Sequence, residues 1–485
     1  MRSSGIRSAS QGRPDTTRAT EPQAKATKER GNDGATGSRA TMQSNSTKIS
    51  QQSALVLLQS SLMEDEQLSL TFDQSVTHRK SDPLSEELRG FREFGTDTRI
   101  EKFPDSEIEL PMFINEFWTS KQRAASSLHE ISYRACFKPQ LPRFFISRLT
   151  APEDTVYDPF MGRGTTPLEA GLLGRRPAGC DINPVSRLLL APRLNPPSES
   201  EVADRLARLS LKKSKVSEHK DLLAFYHPKT LAHIIALREY LLNRDASGEI
   251  DTVDSWIRMV ATNRLTGHSP GFFSVYTLPP NQAVSVKSQR KINTKRKQTP
   301  PERDIDKIIL KKTRSLLKKI DATELERLRQ VSGDSILLTG SCDSTPEILS
   351  DSVALVVTSP PFLDVVDYQK DNWLRCWFNG LDAESISIWQ LKKVEDWMAA
   401  MTRVFSELHR ILKPGGHVAF EVGDVRGGKI LMETLVVPAA KKAGLVPKLV
   451  LINDQAFTKT ANCWGISNSK KGTNTNRIIL LQKEA

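Results

Sequence analysis

The feature that most constrains the fold is a glycine-containing turn between a short apolar strand and a helical run. The strand is predicted at 155–157, the turn is Asp158-Pro-Phe-Met-Gly-Arg-Gly-Thr-Thr166, and the helical run covers 168–173. Gly162 and Gly164 allow the backbone to approach a ligand closely. Because ligands of open α/β sheets bind beyond the carboxyl ends of the strands, the turn predicts an α/β fold with a binding site there.

An acidic residue follows the turn at the spacing of a nucleotide site. A second strand is predicted at 177–180, and Asp181 ends it, 17 residues after Gly164. In nucleotide-binding α/β folds an acid at this place holds the ribose hydroxyls. The full GxGxxG pattern is absent because residue 167 is proline, so an ordinary strand-to-helix turn is the alternative. Together the two features predict a nucleoside-containing cofactor.

A proline motif, Thr358-Ser-Pro-Pro-Phe362, ends a later apolar strand that is predicted at 353–358. Two consecutive prolines cannot extend the sheet, and they leave rigid carbonyl groups without a partner in it. The Ser359 hydroxyl and the Pro360 carbonyl can accept hydrogen bonds from an exocyclic amino group, and the Phe362 ring can stack on a planar base. The alternative is a proline-rich loop with Phe362 in the core.

Alternating strands and helices predict a largely parallel sheet that helices cover on both faces. The alternation occupies 106–198 and resumes over 331–485, whereas 199–330 has mainly helical periodicity. We therefore predict one α/β domain that is interrupted by a helical insertion. A helix is predicted at 394–412, and the remaining strands are predicted at 335–338, 417–422, 448–452 and 477–481.

The N-terminal part lacks the residues from which a core is built. Residues 1–71 contain no Phe, Trp or Tyr and are rich in Ser, Thr, Gln and Arg. Such a segment cannot bury enough apolar surface to offset the conformational entropy of ordering it. We predict a largely disordered tail over 1–105, with a transit peptide in 1–50 as the disfavoured alternative.

The positive charge of the chain is concentrated in two blocks. The formal net charge is +12, of which 1–50 carry +5 and 287–319 carry +10, so the other 402 residues carry −3. Basic blocks favour a polyanionic partner.

Composition also excludes several classes of protein. No apolar run approaches the roughly 20 residues of a membrane helix. The five cysteines form no CxxC pair, which excludes a disulfide framework and a zinc ribbon. We predict no metal site, no membrane association and a cytoplasmic setting.

Together, the turn at 158–166 and the proline motif at 358–362 resemble those of the amino-group DNA methyltransferases, which use S-adenosylmethionine. The resemblance covers 125–190 and 331–485. Segments 127–139, 412–424 and 476–483 resemble the family's segment before the glycine turn, the approach to its fifth strand and its closing strand. The resemblance implies a Rossmann-like methyltransferase sheet with helices on both faces.

The resemblance also implies roles for the matched residues. Asp181 would bind the ribose, Asp343 would contact the adenine ring, and Thr165 would bind the amino-acid end of the cofactor. The other residues implied at the cofactor are Phe137, Asp158, Phe160, Gly162, Gly164 and Thr358.

At the target, Ser359 and Pro360 would hold the amine, and Phe362 would stack on a base that has left the duplex. Pro361 completes the motif. Ser-Pro-Pro-Phe usually marks cytosine-N4 enzymes in this family and Asp-Pro-Pro-Tyr usually marks adenine-N6 enzymes. The motif therefore favours cytosine N4, with adenine N6 as the first alternative.

Other chemistries are less well supported. No Pro-Cys dipeptide occurs, which argues against cytosine-C5 methylation. A tRNA guanine-N2 methyltransferase and a catalytically degenerate DNA-binding protein are the further alternatives. The family also implies a cognate restriction endonuclease acting on the same site.

The insertion is the predicted reader of double-stranded DNA, although it falls earlier in the chain than in the family's usual arrangement. Phosphate contacts position a protein on DNA, and base contacts specify the sequence. For 301–320 alone, a structural helix with a charged outer face is the favoured alternative. We assign phosphate contacts to Arg290, Lys291, Lys295, Arg296 and Lys297, and base contacts to His268, Phe272, Phe273, Tyr276 and Asn281.

Overall fold

The computed structural model describes one compact unit, which lies within Thr77–Ala485. The described residues are 83–105, 107–119, 125–133, 136–209, 216–277, 283–361, 368–389, 391, 393–423, 431–454 and 475–485.

A nine-stranded sheet forms the centre of this unit, and its order across is β1-β2-β8-β9-β7-β6-β3-β4-β5. The strands are β1 (Arg99–Lys102), β2 (Pro111–Asn115), β3 (Thr155–Asp158), β4 (Arg176–Asp181), β5 (Ile336–Thr339), β6 (Val353–Thr358), β7 (Leu412–Val422), β8 (Val446–Asp454) and β9 (Thr475–Gln482).

Most neighbouring strands are parallel. The exceptions are β9, which runs antiparallel to both β7 and β8, and β1, which runs antiparallel to β2. The seven strands predicted from the sequence correspond to β3 through β9, so the predicted α/β fold class is confirmed.

Helices cover both faces of the sheet. Val156 of β3 packs on the side of α1 and α2, whereas the next residue, Tyr157, packs on the side of α12 and α13. None of the helices in the described residues is both long and apolar enough to cross a membrane. The helices are α1 (Pro83–Gly90), α2 (Gln140–Leu149), α3 (Thr165–Leu172), α4 (Pro184–Leu194), α5 (Glu199–Arg208), α6 (Pro228–Ala246), α7 (Thr252–Arg264), α8 (Val286–Arg296), α9 (Ile305–Leu317), α10 (Ala322–Ser332), α11 (Tyr368–Phe378), α12 (Val394–Ile411) and α13 (Glu433–Lys442).

The insertion, 199–330, contains α5 through α10 and joins the fold through a shared core. It leaves the sheet after β4 and returns at β5, and these two strands remain neighbours. Its buried side chains form one cluster with those of α3 and α4. Within it, the Trp256 indole N–H donates to Thr313 Oγ1 at 3.0 Å and links α7 to α9.

The N-terminal boundary needs correction. Helix α1 and strand β1 both lie within 1–105, the range predicted to be a tail. Leu88 is fully buried, and Phe91 packs 5.1 Å from Phe117, measured between ring centroids. The folded part therefore extends at least to residue 83, and the prediction for 1–82 lies outside the described residues.

Asn453 ties this N-terminal segment to the sheet. The side chain is fully buried at the carboxyl-terminal part of β8. Its Oδ1 accepts hydrogen bonds from the backbone N–H groups of Phe117 at 2.7 Å and Trp118 at 3.2 Å, and its Nδ2 donates to the Trp118 carbonyl. One side chain thus satisfies three backbone groups that have left the β2 ladder.

We expect Asn453→Ala to lower the free energy of unfolding by about 2–3 kcal/mol, because it leaves two buried N–H donors without a partner. Urea unfolding measures this change. The matched control is Asn243→Ala, since Asn243 is exposed on α6, and we expect a change below about 0.5 kcal/mol there. Equal effects of the two substitutions would contradict the anchoring role.

Candidate active site

A cavity opens at the carboxyl ends of the central strands, where the strand order reverses. The chain passes from β3 to β4 on one side and later to β6 on the other side of β3. Such a switch point leaves a crevice between the two connections. The residues that line the cavity are Tyr133, Pro159, Phe160, Gly162, Asp181, Ile182, Asn183, Gly340, Ser341, Cys342, Ser359, Pro361, Ser387, Ile388 and Trp389.

The glycine turn and Asp181 form one wall of this cavity. The N–H of Gly162 donates to Asp181 Oδ2 at 2.8 Å, and the N–H of Asn183 donates to Oδ1 at 2.8 Å. Gly162 has a φ of +51°, and a Cβ there would lie 3.4 Å from the Tyr133 ring. The turn therefore needs glycine for its left-handed backbone conformation, and it fixes the orientation of the carboxylate.

Asp158 and Thr358 hold the two motif-bearing loops together beneath the cavity. Thr358 Oγ1 donates to Asp158 Oδ1 at 2.6 Å, and the Phe160 N–H donates to the same oxygen at 3.1 Å. Both side chains are buried. Burial raises the pKa of Asp158 to about 7, although these hydrogen bonds favour its charged form.

A second buried acid lies beside Ser359. Glu421 is near the end of β7, and its carboxyl accepts hydrogen bonds from the Ser359 hydroxyl and from Asn476 Nδ2. Burial raises the pKa of Glu421 to about 7. The Ser359 hydroxyl and the Asn476 amide thus donate hydrogen bonds to a buried carboxyl group next to Ser359, which itself lines the cavity.

An aromatic pair closes the opposite side. The rings of Phe160 and Trp389 meet edge to face, with centroids 6.3 Å apart. Trp389, Ile388 and Ser387 belong to the loop between α11 and α12, so a segment distant in sequence completes the cavity.

Six of the nine residues predicted at the cofactor are absent from the described cavity wall. Asp158 and Thr358 lie beneath it, and the remaining four are Phe137, Gly164, Thr165 and Asp343. The Phe137 ring packs against the apolar cluster of α1 and α2, and Tyr133 supplies the aromatic wall instead. Gly164 has a φ of +75° at the start of α3, where a Cβ would approach Leu190 within 2.7 Å. Glycine is required at this position because α3 packs closely on α4, and Gly164 is not among the residues that line the described cavity.

Thr165 and Asp343 interact with neighbouring side chains. Thr165 Oγ1 accepts a hydrogen bond from Arg163 Nε at 3.1 Å. Asp343 pairs with Arg403 at 3.0 Å and accepts a hydrogen bond from Ser341. The cavity wall after β5 is formed by 340–342, which precede Asp343 directly.

The proline motif is held from outside the sheet. The Trp397 indole N–H donates to the Pro361 carbonyl at 3.2 Å. Pro360 is buried, and Ser359 and Pro361 line the cavity. The prediction for Phe362 lies outside the described residues.

The aromatic loop of the insertion differs from its predicted role. Phe272 and Phe273 are 7% and 1% exposed, so they are core side chains and cannot read or wedge bases. The Arg264 guanidinium lies 4.0 Å from the centroid of Phe272, and the Phe272 ring occupies the space next to Gly267. His268 is exposed, and the prediction for Asn281 lies outside the described residues.

The basic residues of α8, in contrast, line a surface groove. Arg296 stacks on the half-buried Tyr276 ring at 3.8 Å from its centroid, and Lys297 is exposed. Helix α9 buries Ile305, Ile309 and Leu316, so it is a structural helix with a charged outer face. The groove residues are Lys287, Arg290, Lys291, Thr294 and Lys295.

Tyr133, Glu421 and Trp389 are among the residues of the cavity region that were not predicted from the sequence. Tyr133 lies within a segment that the resemblance covered, so its aromatic ring was a usable signal. Glu421 gave a weaker sequence signal, because it is a single acid near the end of an apolar strand. Trp389 lies in a loop without periodicity, so no pattern singled it out.

The cavity fits S-adenosylmethionine. Its wall offers a fixed carboxylate for ribose hydroxyls, a close backbone approach at Gly162, and aromatic rings for the adenine. Asn183 is 3% exposed, and its Nδ2 has no hydrogen-bond partner among the described residues, although its Oδ1 accepts from the Val185 N–H. A buried amide donor without a partner indicates a polar ligand at this wall.

The strand order and the cavity are those of a Rossmann-like fold with a site for S-adenosylmethionine. A family profile described as DNA methylase, of the N6 and N4 type, matches residues 76–187. The type II methyltransferase M.BsoBI of Geobacillus stearothermophilus is 25% identical over 296 residues, which are 54% of this chain and 54% of that protein. The chain is similar to the amino-group DNA methyltransferases in these two comparisons, and it spans about half the length of this relative.

Two methyltransferases are among the solved structures with some similarity to this chain. TrmN from Thermus thermophilus is 12% identical, with 74% of this chain and 51% of that chain covered and a TM-score of 0.28. A geranyl diphosphate C-methyltransferase from Streptomyces coelicolor, solved with S-adenosylhomocysteine, is 10% identical, with 71% and 76% covered and a TM-score of 0.30.

We expect Asp158→Asn to flatten the pH dependence of stability. The folded protein retains the Asp158 proton up to a pKa of about 7, whereas the ordinary value is 3.8. The folded state therefore binds more protons than the unfolded chain in this window, and stability falls as pH rises. The substitution should remove a slope on the order of 1.4 kcal/mol per pH unit.

Urea unfolding of the cofactor-free protein at pH 5, 6 and 7 measures that slope. Asp304→Asn is the control, because hydrogen bonds from Lys307 lower the pKa of Asp304, so this carboxyl titrates below pH 5 and its substitution should leave the slope unchanged in this range. An unchanged slope in Asp158→Asn would show that this carboxyl titrates normally.

Proposed function

We propose that this chain transfers a methyl group from S-adenosylmethionine to the exocyclic N4 amine of a cytosine that has left the DNA duplex. The observation that carries the proposal is the position of Ser359. Its hydroxyl lies at the wall of the same cavity as Asp181 and Gly162, where a nucleoside cofactor fits. A base presented to Ser359 therefore lies beside the methyl donor.

The cofactor supplies an electrophilic methyl group on a positively charged sulfur. An exocyclic amine is a weak nucleophile, because its lone pair is delocalised into the ring. Hydrogen bonds from the amine to Ser359 Oγ and the Pro360 carbonyl favour a tetrahedral nitrogen and localise that pair. The remaining requirement is in-line positioning of amine and methyl group, which the rigid Pro-Pro backbone supports.

The choice of cytosine N4 depends on Ser359, because the family usually has aspartate at this position in adenine-N6 enzymes. Adenine N6 is the second candidate, since either base presents an exocyclic amine. We also propose double-stranded DNA as substrate, a cognate restriction endonuclease as partner and a cytoplasmic location. The DNA methylase family and the type II relative support the first two of these.

Incubation with labelled S-adenosylmethionine and unmethylated DNA, followed by digestion to nucleosides and mass analysis, tests this proposal. We expect N4-methylcytosine. N6-methyladenine would establish the second candidate. Methylation of tRNA alone would refute both, and DNA binding without any transfer would indicate a catalytically degenerate protein.

We expect Ser359→Ala to lower the single-turnover rate by at least about 100-fold, because the amine loses the acceptor that orients it. Cofactor affinity should remain within about threefold of wild type, since Asp181 and Gly162 are untouched. Rapid-quench transfer assays and calorimetry measure the two quantities. Ser406→Ala, exposed on α12, is the control, and similar rates for both variants would remove Ser359 from the mechanism.

We expect Lys291→Gln together with Lys295→Gln to weaken DNA binding and to reduce the slope of log K against log salt by up to about 2. Both side chains are exposed in the groove of α8. The control pair is Lys441→Gln with Lys442→Gln, exposed on α13. Equal slopes for the two double variants, measured by fluorescence anisotropy, would exclude α8 from the DNA interface.

A further inference from the structure

Arg264 is a buried cation to which no carboxylate is bonded in the described residues. It is the last residue of α7, within the insertion, and is 9% exposed. Its guanidinium donates through Nε to the Asn263 carbonyl at 3.1 Å and through Nη2 to Asn263 Oδ1 at 2.6 Å. Burying a charge without a counter-charge is costly, so such a group indicates a site for a ligand that supplies one.

The contacts of Arg264 leave one edge of its guanidinium available. Asn263 occupies the edge formed by Nε and Nη2, and Nη1 donates no hydrogen bond in the described residues. The edge formed by Nη1 and Nη2 can therefore donate two parallel hydrogen bonds, which is the geometry with which arginine binds phosphate. The Phe272 ring, 4.0 Å below, holds the guanidinium in place, and the exposed His268 ring beside Phe272 shows that solvent is near.

Further cations lie close to Arg264. Burial, and after it the charge of Arg375 on α11, lowers the pKa of Arg264 to about 10. Burial and the charge of Arg264 in turn lower the pKa of Lys312 on α9 to about 8, and Glu130 offsets part of this shift. Positive groups from three helices thus repel one another here, and an anion bound among them would relieve that repulsion.

Asn263 connects Arg264 to the cavity wall. Its Oδ1 accepts from the Ser132 N–H at 3.1 Å, and its Nδ2 donates to the Ser132 carbonyl at 2.8 Å. The Arg375 guanidinium donates to the same carbonyl at 3.0 Å, and the next residue, Tyr133, lines the cavity. The insertion therefore places the Arg264 cation beside the segment that forms this wall.

Electrostatic interactions also connect this region to Ser359. The Cys136 thiol interacts with the charges of both Arg375 and Glu421, and the Ser359 hydroxyl donates to Glu421. Arg264 thus lies on the side of the cavity that would receive the target base. A base that has left the duplex stays attached to its own phosphates, so a phosphate must come close to this side.

We infer that Arg264 binds a phosphate group of the DNA strand directly beside the extruded nucleotide and so holds that nucleotide against the cavity. This inference rests on the proposed function. A phosphodiester carries one negative charge and two non-bridging oxygens, and the available edge of the guanidinium donates to both. Lys312 and Arg375 add positive potential around it. The contact positions the strand and does not read its sequence.

Replacement of single phosphates by neutral methylphosphonates tests this contact. The probe is a short duplex in which methylation by wild type has been mapped to one nucleotide. We expect one methylphosphonate beside that nucleotide to weaken wild-type binding by about 10- to 100-fold, because a charge-assisted hydrogen bond is lost. The same replacement should weaken binding by Arg264→Met less than about threefold, since that contact is already absent. The slope of log K against log salt should be smaller by about 1 in Arg264→Met. Fluorescence anisotropy measures both quantities.

The matched control is Arg238→Met on α6 of the insertion. The half-buried Arg238 guanidinium also lies over an aromatic ring, 5.3 Å from the centroid of Trp377, and donates to the Trp377 carbonyl at 2.7 Å. It has no hydrogen bond to Asn263 or Ser132 in the described residues. We therefore expect Arg238→Met to keep the full wild-type loss of affinity on the methylphosphonate duplex.

Arg264→Lys decides the question if Arg264→Met does not fold. Lysine keeps the charge but loses the planar pair of donors, so its methylphosphonate effect should lie between those of wild type and Arg264→Met. An effect equal to that of wild type in the folded Arg264 variants would overturn the inference. So would a wild type that tolerates methylphosphonates on both sides of the target nucleotide.

Cofactor binding, measured by calorimetry, separates two sources of the anion. We expect the cofactor affinity of Arg264→Met to stay within about threefold of wild type. Weaker cofactor binding together with an undiminished methylphosphonate effect would assign Arg264 to the cofactor carboxylate and overturn the inference. If wild type methylates no DNA, the proposed function fails and this inference fails with it. If wild type methylates DNA and the Arg264 variants behave like wild type, only the role of Arg264 fails.

Discussion

The hydrogen bond from Thr358 to Asp158 joins two segments that are 200 residues apart in the chain. It forms because β3 and β6 are parallel neighbours, so their carboxyl ends reach the same edge of the sheet. The glycine turn follows Asp158 directly, and Ser359 follows Thr358 directly. This contact therefore sets the distance between the glycine turn and the proline motif, both of which contribute residues to the cavity wall.

A chain can lengthen greatly between β4 and β5 without disturbing that contact. The insertion leaves and re-enters on one flank of the sheet, while β3, β6 and β7 lie on the other side of β4. Its apolar residues form a common core with α3 and α4, the helices that follow β3 and β4. The DNA contacts that we propose for the insertion and the chemistry that we propose for the cavity thus depend on one shared core.

The sequence predicted elements whose signal is local. Central strands such as β6 are fully buried and read as apolar runs, and Gly162 and Asp181 carry their backbone and charge requirements in the turn itself. Strand β1 has no such signal, since all four of its residues are exposed. Gly164 was predicted at the cofactor, but a glycine can also be required by a neighbouring helix. Here a Cβ at 164 would clash with Leu190 of α4. Trp389 reaches the cavity only through tertiary packing.

The aromatic loop of the insertion shows that residue type alone does not tell whether a side chain is exposed and able to contact a partner. The backbone N–H of Phe273 donates to the Arg264 carbonyl, and that of Val275 donates to the Phe225 carbonyl, so the loop is bound to α7 and to the segment before α6. The Gln289 side chain of α8 donates a hydrogen bond to the Tyr276 carbonyl at 3.0 Å, which attaches α8 to this buried loop. The aromatic residues therefore support the basic helix, and additional charge that can meet a phosphate backbone lies on α8, one layer further out.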